Sequence, residues 1–370
     1  MEVASRIFDT IFDPRNIRED VRERIAEELE PQQLHYWKRV VRLAALLHDI
    51  GHLPFSHAAE KELLPPGWNH ERITVDMVRQ SEIADILRDA SPPVRPEDVI
   101  DAAWDISKRV TVEPVNLSPW KTLLNEILTS NTFGADRIDY LLRDSWHAGV
   151  PYGRFDTNTL IAGLRVIIDS DDQEIAIGLD IDGIHAAEAL LLARYFMYTQ
   201  VYLHDVRRAY DAHLKAFLQK WLENGKFSDR WQDMLRVTDN DVLVALHSAA
   251  LDESDPFHAS AALLMNRRHF RTVYSQVAAH KLRCPTVLED VLKYAQEQFG
   301  PDNVFKDHYL AKSEPNEFFV LTTNGSIENA RQISGIIDHV PVMEVGLIFV
   351  EPSLKEQAKR QIDIHLKTLL

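Results

Sequence analysis

The sequence predicts a mainly α-helical protein with a smaller C-terminal α+β lobe. Three observations carry that expectation. Apolar residues recur at three- and four-residue spacing through most of the first two thirds of the chain, the period of an amphipathic helix. One pair of β-branched runs, within 165–180, interrupts that habit. From about residue 255 the texture changes to short apolar runs alternating with amphipathic ones, so the expected division is 1–255 for a helical core and 256–370 for the lobe.

Each element has its own signal. The opening "MEVASRIFDTIF" places apolar residues at 3, 4, 7, 8, 11 and 12, the interior of an amphipathic helix with no N-cap residue ahead of it. "WKRVVRLAALLHD" (37–49) is apolar at 40, 41, 43, 44, 46 and 47, a stripe wide enough for a buried helix. Gly51 and then Pro54 follow as stop signals. "HERITVDMVRQ" (70–80) and "SEIADILRDA" (81–90) read as helices, and "SPPVRPED" (91–98) as a loop opening another. "TLLNEILTS" (122–130) and "ADRIDYLLRDSWHAG" (135–149) are strongly helical. The runs in 165–180 flank an acidic turn and predict a hairpin, while 183–225 reads as one very long helical stretch with room for a bend. Further on, 317–324 and 345–351 read as strands, and 326–338 and 353–370 as helices.

Composition narrows the class. No run of about 18 uncharged apolar residues occurs, so no membrane span is expected. The acidic-containing start is unlike a secretory signal. Cys284 is the sole cysteine, which excludes an intramolecular disulfide and fits a cytoplasmic protein. In "KLRCP" it reads as a buried or inert thiol. A net charge of −16 argues against a surface for long nucleic acid, yet leaves room for a small anion in a local basic pocket.

One stretch concentrates chemistry. "LLHDIGHLPFSHAAE" (46–60) places His48, Asp49, His52 and His57 within ten positions at the end of an apolar run. His48 and His52 share a face if the helix extends that far, and imidazole beside carboxylate suits a divalent first-row metal. A capped helix end is the plainer alternative, because such side chains also complement the helix dipole.

"LLHDIGHLPFSH" closely resembles the central motif of HD-domain phosphohydrolases, in particular the deoxynucleoside triphosphate triphosphohydrolase (dNTPase) branch. The resemblance continues in order through "WNHERIT" (68–74), "FGADRIDYLLRDSWHAGV" (133–150) and "ARYFMYTQVYLHDVRR" (193–208), covering roughly residues 1–210. It implies an HD-domain helical core and a divalent metal ion (Mg, Mn, Zn, Fe or Ni) held by His48, Asp49 and Asp136. It further implies that His70 is the catalytic acid or base, with His52 and His57 near the substrate. Tyr140 and Asp144 match sugar-holding positions, and Arg137, Arg194 and Tyr202 match phosphate- or nucleotide-contacting ones. The implied reaction cuts a dNTP into deoxynucleoside and triphosphate; related enzymes assemble as dimers or tetramers, and some bind an activating nucleotide.

The residue chemistry is compatible with these roles. A divalent ion polarises a phosphoryl oxygen and lowers the pKa of bound water, arginines grip phosphates through forked hydrogen bonds, and histidine exchanges protons near neutrality. Plainer readings stand beside them. Asp136 can pair with Arg137 or Tyr140, His70 can be a polar first-turn residue, His52 and His57 can cap a loop, Arg194 can pair with Glu188, and the tyrosines can be core aromatics.

Two other functions compete: an HD phosphodiesterase or 3′-end nuclease on oligonucleotides, and a catalytically weak nucleotide-sensing regulatory or assembly subunit. The second is prompted by a departure from the family pattern. The family's first metal histidine lies in an upstream "H-S-x-G"-like segment, whereas this chain starts at Met1 and His35, in "PQQLHYWKRV", does not match. The expectation is that the N-terminal part of the domain, with one ligand, is missing.

Overall fold

Helices dominate, as the periodicity predicts, and the described residues also form two small sheets. The computed structural model describes residues 1–58, 60–168, 174–311 and 317–370, Lys61 by its backbone alone. Seven strands are described: β1 (Leu164–Ile168), β2 (Ile175–Asp180), β3 (Arg271–Ser275), β4 (Val304–Leu310), β5 (Phe319–Leu321), β6 (Ile327–Asn329) and β7 (Glu344–Val350). The described residues form two compact units, one within 1–52, 67–197 and 313–341, the other within 53–66, 198–312 and 342–370. These units cut across the sequence boundary expected near 255, because β5, from the C-terminal segment, pairs with β2 from the helical core.

In the first unit, helix Glu2–Ile11 buries Ala4, Ile7, Phe8 and Ile11, the stripe read from the sequence. Helix Pro31–Leu47 is less enclosed than expected: Val40, Val41 and Ala44 are buried, but Leu46 is 56% exposed, so only one face packs inward. Helix Pro119–Thr129 is central, with Leu123, Leu124 and Ile127 at most 1% exposed. Each such side chain contributes about 1.5–3 kcal/mol by leaving water. The helices His70–Gln80, Glu82–Asp89, Pro96–Ala103 and Ala135–Ala148 fall where the sequence places them. Gly149, left-handed at φ 69°, ends the last of these.

β1 and β2 pair antiparallel from Leu164↔Leu179 to Ile168↔Ile175, in keeping with the expected hairpin, whose turn at 169–173 lies outside the described residues. β5 runs parallel to β2 and antiparallel to β6. The helix expected at 326–338 is therefore corrected: Gly325, at φ 85°, reverses the chain, 327–329 becomes β6, and only the short helices Ala330–Ile333 and Gly335–His339 follow. The long helix expected over 183–225 is also divided. Helix Ile184–Met197 gives way to a π-turn at Tyr198–Tyr202, and helix Asp205–Trp221 restarts with His204 Nδ1 accepting from the Val206 N–H at 3.2 Å.

The second unit is built on a three-stranded antiparallel sheet with β7 between β3 and β4, two strands the sequence reading did not find. Helices Val287–Phe299 and Lys355–Leu369 pack on it through Val291, Ala295, Ala358 and Ile362, all fully buried beside Ile348 and Val350. Cys284 is half-buried, its Sγ 3.5 Å from Thr286 Oγ1 and Asp290 Oδ2. No helix among the described residues is long and apolar enough to cross a membrane.

Candidate metal centre and histidine pair

Helix Pro31–Leu47 ends at His48, whose N–H still bonds to the Ala44 carbonyl at 2.9 Å. The helix does not reach His52, so the expected shared helical face gives way to a tight turn. The His52 N–H returns to the Asp49 carbonyl at 3.2 Å. That turn is fastened to helix His70–Gln80. Thr74 Oγ1 donates to the His48 carbonyl and accepts from the Gly51 N–H, both at 3.0 Å. Glycine is required at 51 for space: a Cβ there would lie 2.3 Å from the His70 carbonyl oxygen and 2.5 Å from the Thr74 nitrogen. Asn69 caps the same helix by accepting from the Arg72 N–H at 2.8 Å, which places His70 in its first turn.

The fastening brings distant side chains together. His48 Nε2 lies 3.2 Å from Asp136 Oδ1 and 3.4 Å from Asp49 Oδ2, and one donor atom from each residue lies within 4.8 Å of the others. Donors bound at about 2.0–2.2 Å to one ion are themselves roughly 3–4.4 Å apart, so the three fit a divalent cation. On the other side of Asp49, His52 Nε2 is 3.5 Å from Oδ1. The His52 ring stacks on His70 at 4.0 Å and 14°. The sequence-predicted His48, Asp49, His52, His70 and Asp136 thus form one continuous set.

Charge within the set is mutually stabilised. Burial raises the Asp49 pKa, but the His52 hydrogen bond and the charges of His48, His52 and His70 overcome it and hold the carboxyl at about 2. Burial likewise opposes charge on His48, and the Asp136 hydrogen bond with the Asp49 charge outweighs it, raising the ring's proton affinity.

Helix Ala135–Ala148 carries Asp136, Arg137, Tyr140 and Asp144, with Asp136, Tyr140 and Asp144 at successive four-residue steps on one face. Arg137 has Nε and one Nη buried with no protein hydrogen-bond acceptor. Arg194 is 9% exposed, its Nη1 3.5 Å from the Asn131 carbonyl. The pairing with Glu188 weighed from sequence is not what that carboxylate shows: Glu188 binds Ser334 at 2.5 Å and His185 at 2.9 Å. His57 and Tyr202 belong to the second unit. There His57 lies 3.1 Å from Glu60, and Tyr202 meets Tyr198 edge-on at 5.0 Å.

Glu71 was not singled out from sequence. Its Oε1 is 2.5 Å from Lys108 Nζ and 4.0 Å from His70 Nε2. The available signal was its place directly after His70, a carboxylate beside an imidazole.

Residues 21–143 match the HD domain family and residues 155–298 match the HD associated region. Over these two segments the chain is similar to HD-domain proteins. It is 36% identical over 178 residues to the uncharacterized protein YwfO of Bacillus subtilis, covering 48% of this chain and 36% of that protein. It is 26% identical over 270 residues to human deoxynucleoside triphosphate triphosphohydrolase SAMHD1, covering 64% of this chain and 41% of the relative. Its fold is similar to that of a hypothetical protein from Aquifex aeolicus, with a TM-score of 0.74 and 28% identity over 97% of this chain and 84% of the other. The chain spans only 34–37% of the length of four curated relatives it matches.

Proposed function

We propose that this protein is a divalent-metal-dependent phosphohydrolase that cleaves a deoxynucleoside triphosphate into deoxynucleoside and triphosphate. The observation that carries the reading is the convergence of His48, Asp49 and Asp136 beside the stacked His52 and His70 rings. The triphosphohydrolase activity for which the human relative is named supports the choice of substrate.

In this reading His48, Asp49 and Asp136 hold the cation; catalytic sites commonly use three protein ligands and keep a position for water or substrate. When bound, the ion supplies Lewis acidity toward the phosphoryl oxygen and lowers the pKa of a bound water. Water adds to the α-phosphorus, the bond from phosphorus to the 5′-oxygen breaks, and that oxygen takes a proton. His70 donates it. His52, stacked flat on His70, restricts the ring's rotation and holds Asp49 from the other side. Arg137 supplies positive charge and charge-assisted hydrogen bonds to the phosphate oxygens. Tyr140 and Asp144 hold the sugar, and Arg194 adds positive charge for the phosphate chain. The roles of His57 and Tyr202 at the nucleotide, a homo-oligomeric assembly, an activating nucleotide and a cytoplasmic location rest on the resemblance and the composition alone.

Product chromatography tests the proposal. Protein with Mn²⁺ is incubated with each dNTP, each rNTP and a short oligonucleotide. Deoxynucleoside plus intact triphosphate is expected, with Asp49→Asn and Asp136→Asn each losing bound metal and turnover together. Pyrophosphate, orthophosphate or released mononucleotides would contradict the cleavage site. Tight dNTP binding with no turnover by the metal-loaded protein would favour a sensing role.

A further inference from the structure

We propose that Glu71 and Trp104 are positioning residues that hold His48 through one buried water. The inference rests on the reading of His48 as a metal ligand and concerns what lies behind it.

A cavity of about 10 Å³ lies between His48, helix His70–Gln80 and the end of helix Pro96–Ala103, lined by Leu47, His48, Glu71, Thr74, Ile100 and Trp104 among others. That is close to the roughly 10–15 Å³ that one water requires. Three lining residues each carry a buried polar atom with no hydrogen-bond partner in the protein: His48 Nδ1, Glu71 Oε2 and Trp104 Nε1. A polar atom left unsatisfied in the interior is costly.

The three atoms are complementary to a single water. Indole N–H can only donate, and a carboxylate oxygen accepts. A water that accepts from Trp104 and donates to Glu71 keeps a second lone pair, which takes a hydrogen from His48 Nδ1. A proton on Nδ1 leaves Nε2, the atom facing Asp49 and Asp136, as the one with a lone pair for a cation.

The two protein anchors are firmly seated. Trp104 is 3% exposed, its carbonyl accepts from Asn125 Nδ2 at 2.9 Å, and the Arg109 guanidinium lies 5.5 Å from its ring centroid. Glu71 is tied by Oε1 to Lys108 at 2.5 Å, with that same oxygen 4.0 Å from His70 Nε2. One carboxylate oxygen thus lies near His70, and the other is the one that would reach His48 through the water.

The test combines Mn²⁺ titration with a high-resolution crystal structure. Loss of a partner behind a ligating histidine typically lowers metal affinity about 10–100-fold. Glu71→Ala should weaken Mn²⁺ binding about tenfold, while Glu71→Gln, which keeps an acceptor oxygen for the water, should stay within about threefold of wild type. Trp104→Phe keeps the ring without its N–H and should shift affinity in the direction of Glu71→Ala, so the test survives if one variant folds poorly. The crystal structure of the wild-type protein should show one water within hydrogen-bond distance of all three atoms. A dry cavity, wild-type Mn²⁺ affinity in Glu71→Ala, or equal losses in the Ala and Gln variants would overturn the proposal. If the wild-type protein binds no Mn²⁺ at all, the metal reading fails, and the density in the cavity still decides whether the water links these residues.

Discussion

Replacing Glu126 by glutamine should stabilise the protein, and only above mildly acidic pH. Glu126 lies on helix Pro119–Thr129 and accepts a hydrogen bond from the Ile177 N–H on β2 at 2.8 Å. Burial of its carboxyl group pushes the pKa up from 4.5 to about 7, against the lowering effect of the Ile177 N–H and with a further push from the Glu174 charge. Between about pH 4.5 and 7 the native state retains a proton that the unfolded chain has released, so stability falls as pH rises through that window. Above it the cost is constant. At 1.36 kcal/mol per pH decade, a rise from 4.5 to about 7 corresponds to at most about 3 kcal/mol. Glutamine does not ionise and keeps a carbonyl for the Ile177 N–H. Glu126→Gln should thus match wild type near pH 4.5 and exceed it above pH 7 by up to roughly 6 °C in thermal midpoint, at about 2 °C per kcal/mol. Differential scanning fluorimetry of both proteins at half-unit steps from pH 4.5 to 8.5 measures the difference directly, and titrations common to the two cancel. A difference that does not grow with pH would refute the reasoning.

Two further outcomes follow from the site. Gly51→Ala should force the HD turn away from helix His70–Gln80, since the new Cβ would lie 2.3 Å from the His70 carbonyl; a destabilisation of about 1–3 kcal/mol is expected, with weaker Mn²⁺ binding, and unchanged melting and affinity would contradict it. Arg137→Ala should raise KM for dNTP about 10–100-fold while leaving Mn²⁺ affinity intact, because it removes charged hydrogen bonds worth about 1.5–3 kcal/mol from the phosphate chain; steady-state kinetics with an unaltered KM would count against that role.

Much of the local structure was determined by the sequence itself. Helix His70–Gln80 begins and ends where the sequence places it, because Asn69 caps its first turn and its buried residues recur at helical spacing. Helices Ala135–Ala148 and Lys355–Leu369 were legible for similar reasons, a Gly149 stop in one and a sustained apolar stripe in the other. His48 and Asp49 stand out as neighbours in the chain. Asp136, 88 residues beyond His48, joins them by the motif resemblance in one dimension, and only tertiary packing brings its oxygen to 3.2 Å. The segment 326–338 shows the opposite failure: its periodicity suits a helix, yet a reversal at Gly325 and pairing with β5 make part of it a strand. Glu71 was invisible for a related reason. Its spacing gives it one neighbour, His70, whereas the folded chain supplies Lys108 at one oxygen and encloses the other beside the His48 cavity. Caps and periodicity act between residues a turn apart and are written in the chain; strand partners, enclosed carboxylates and the meeting of distant ligands depend on which surfaces exclude water from one another, and that is decided only when the whole chain packs.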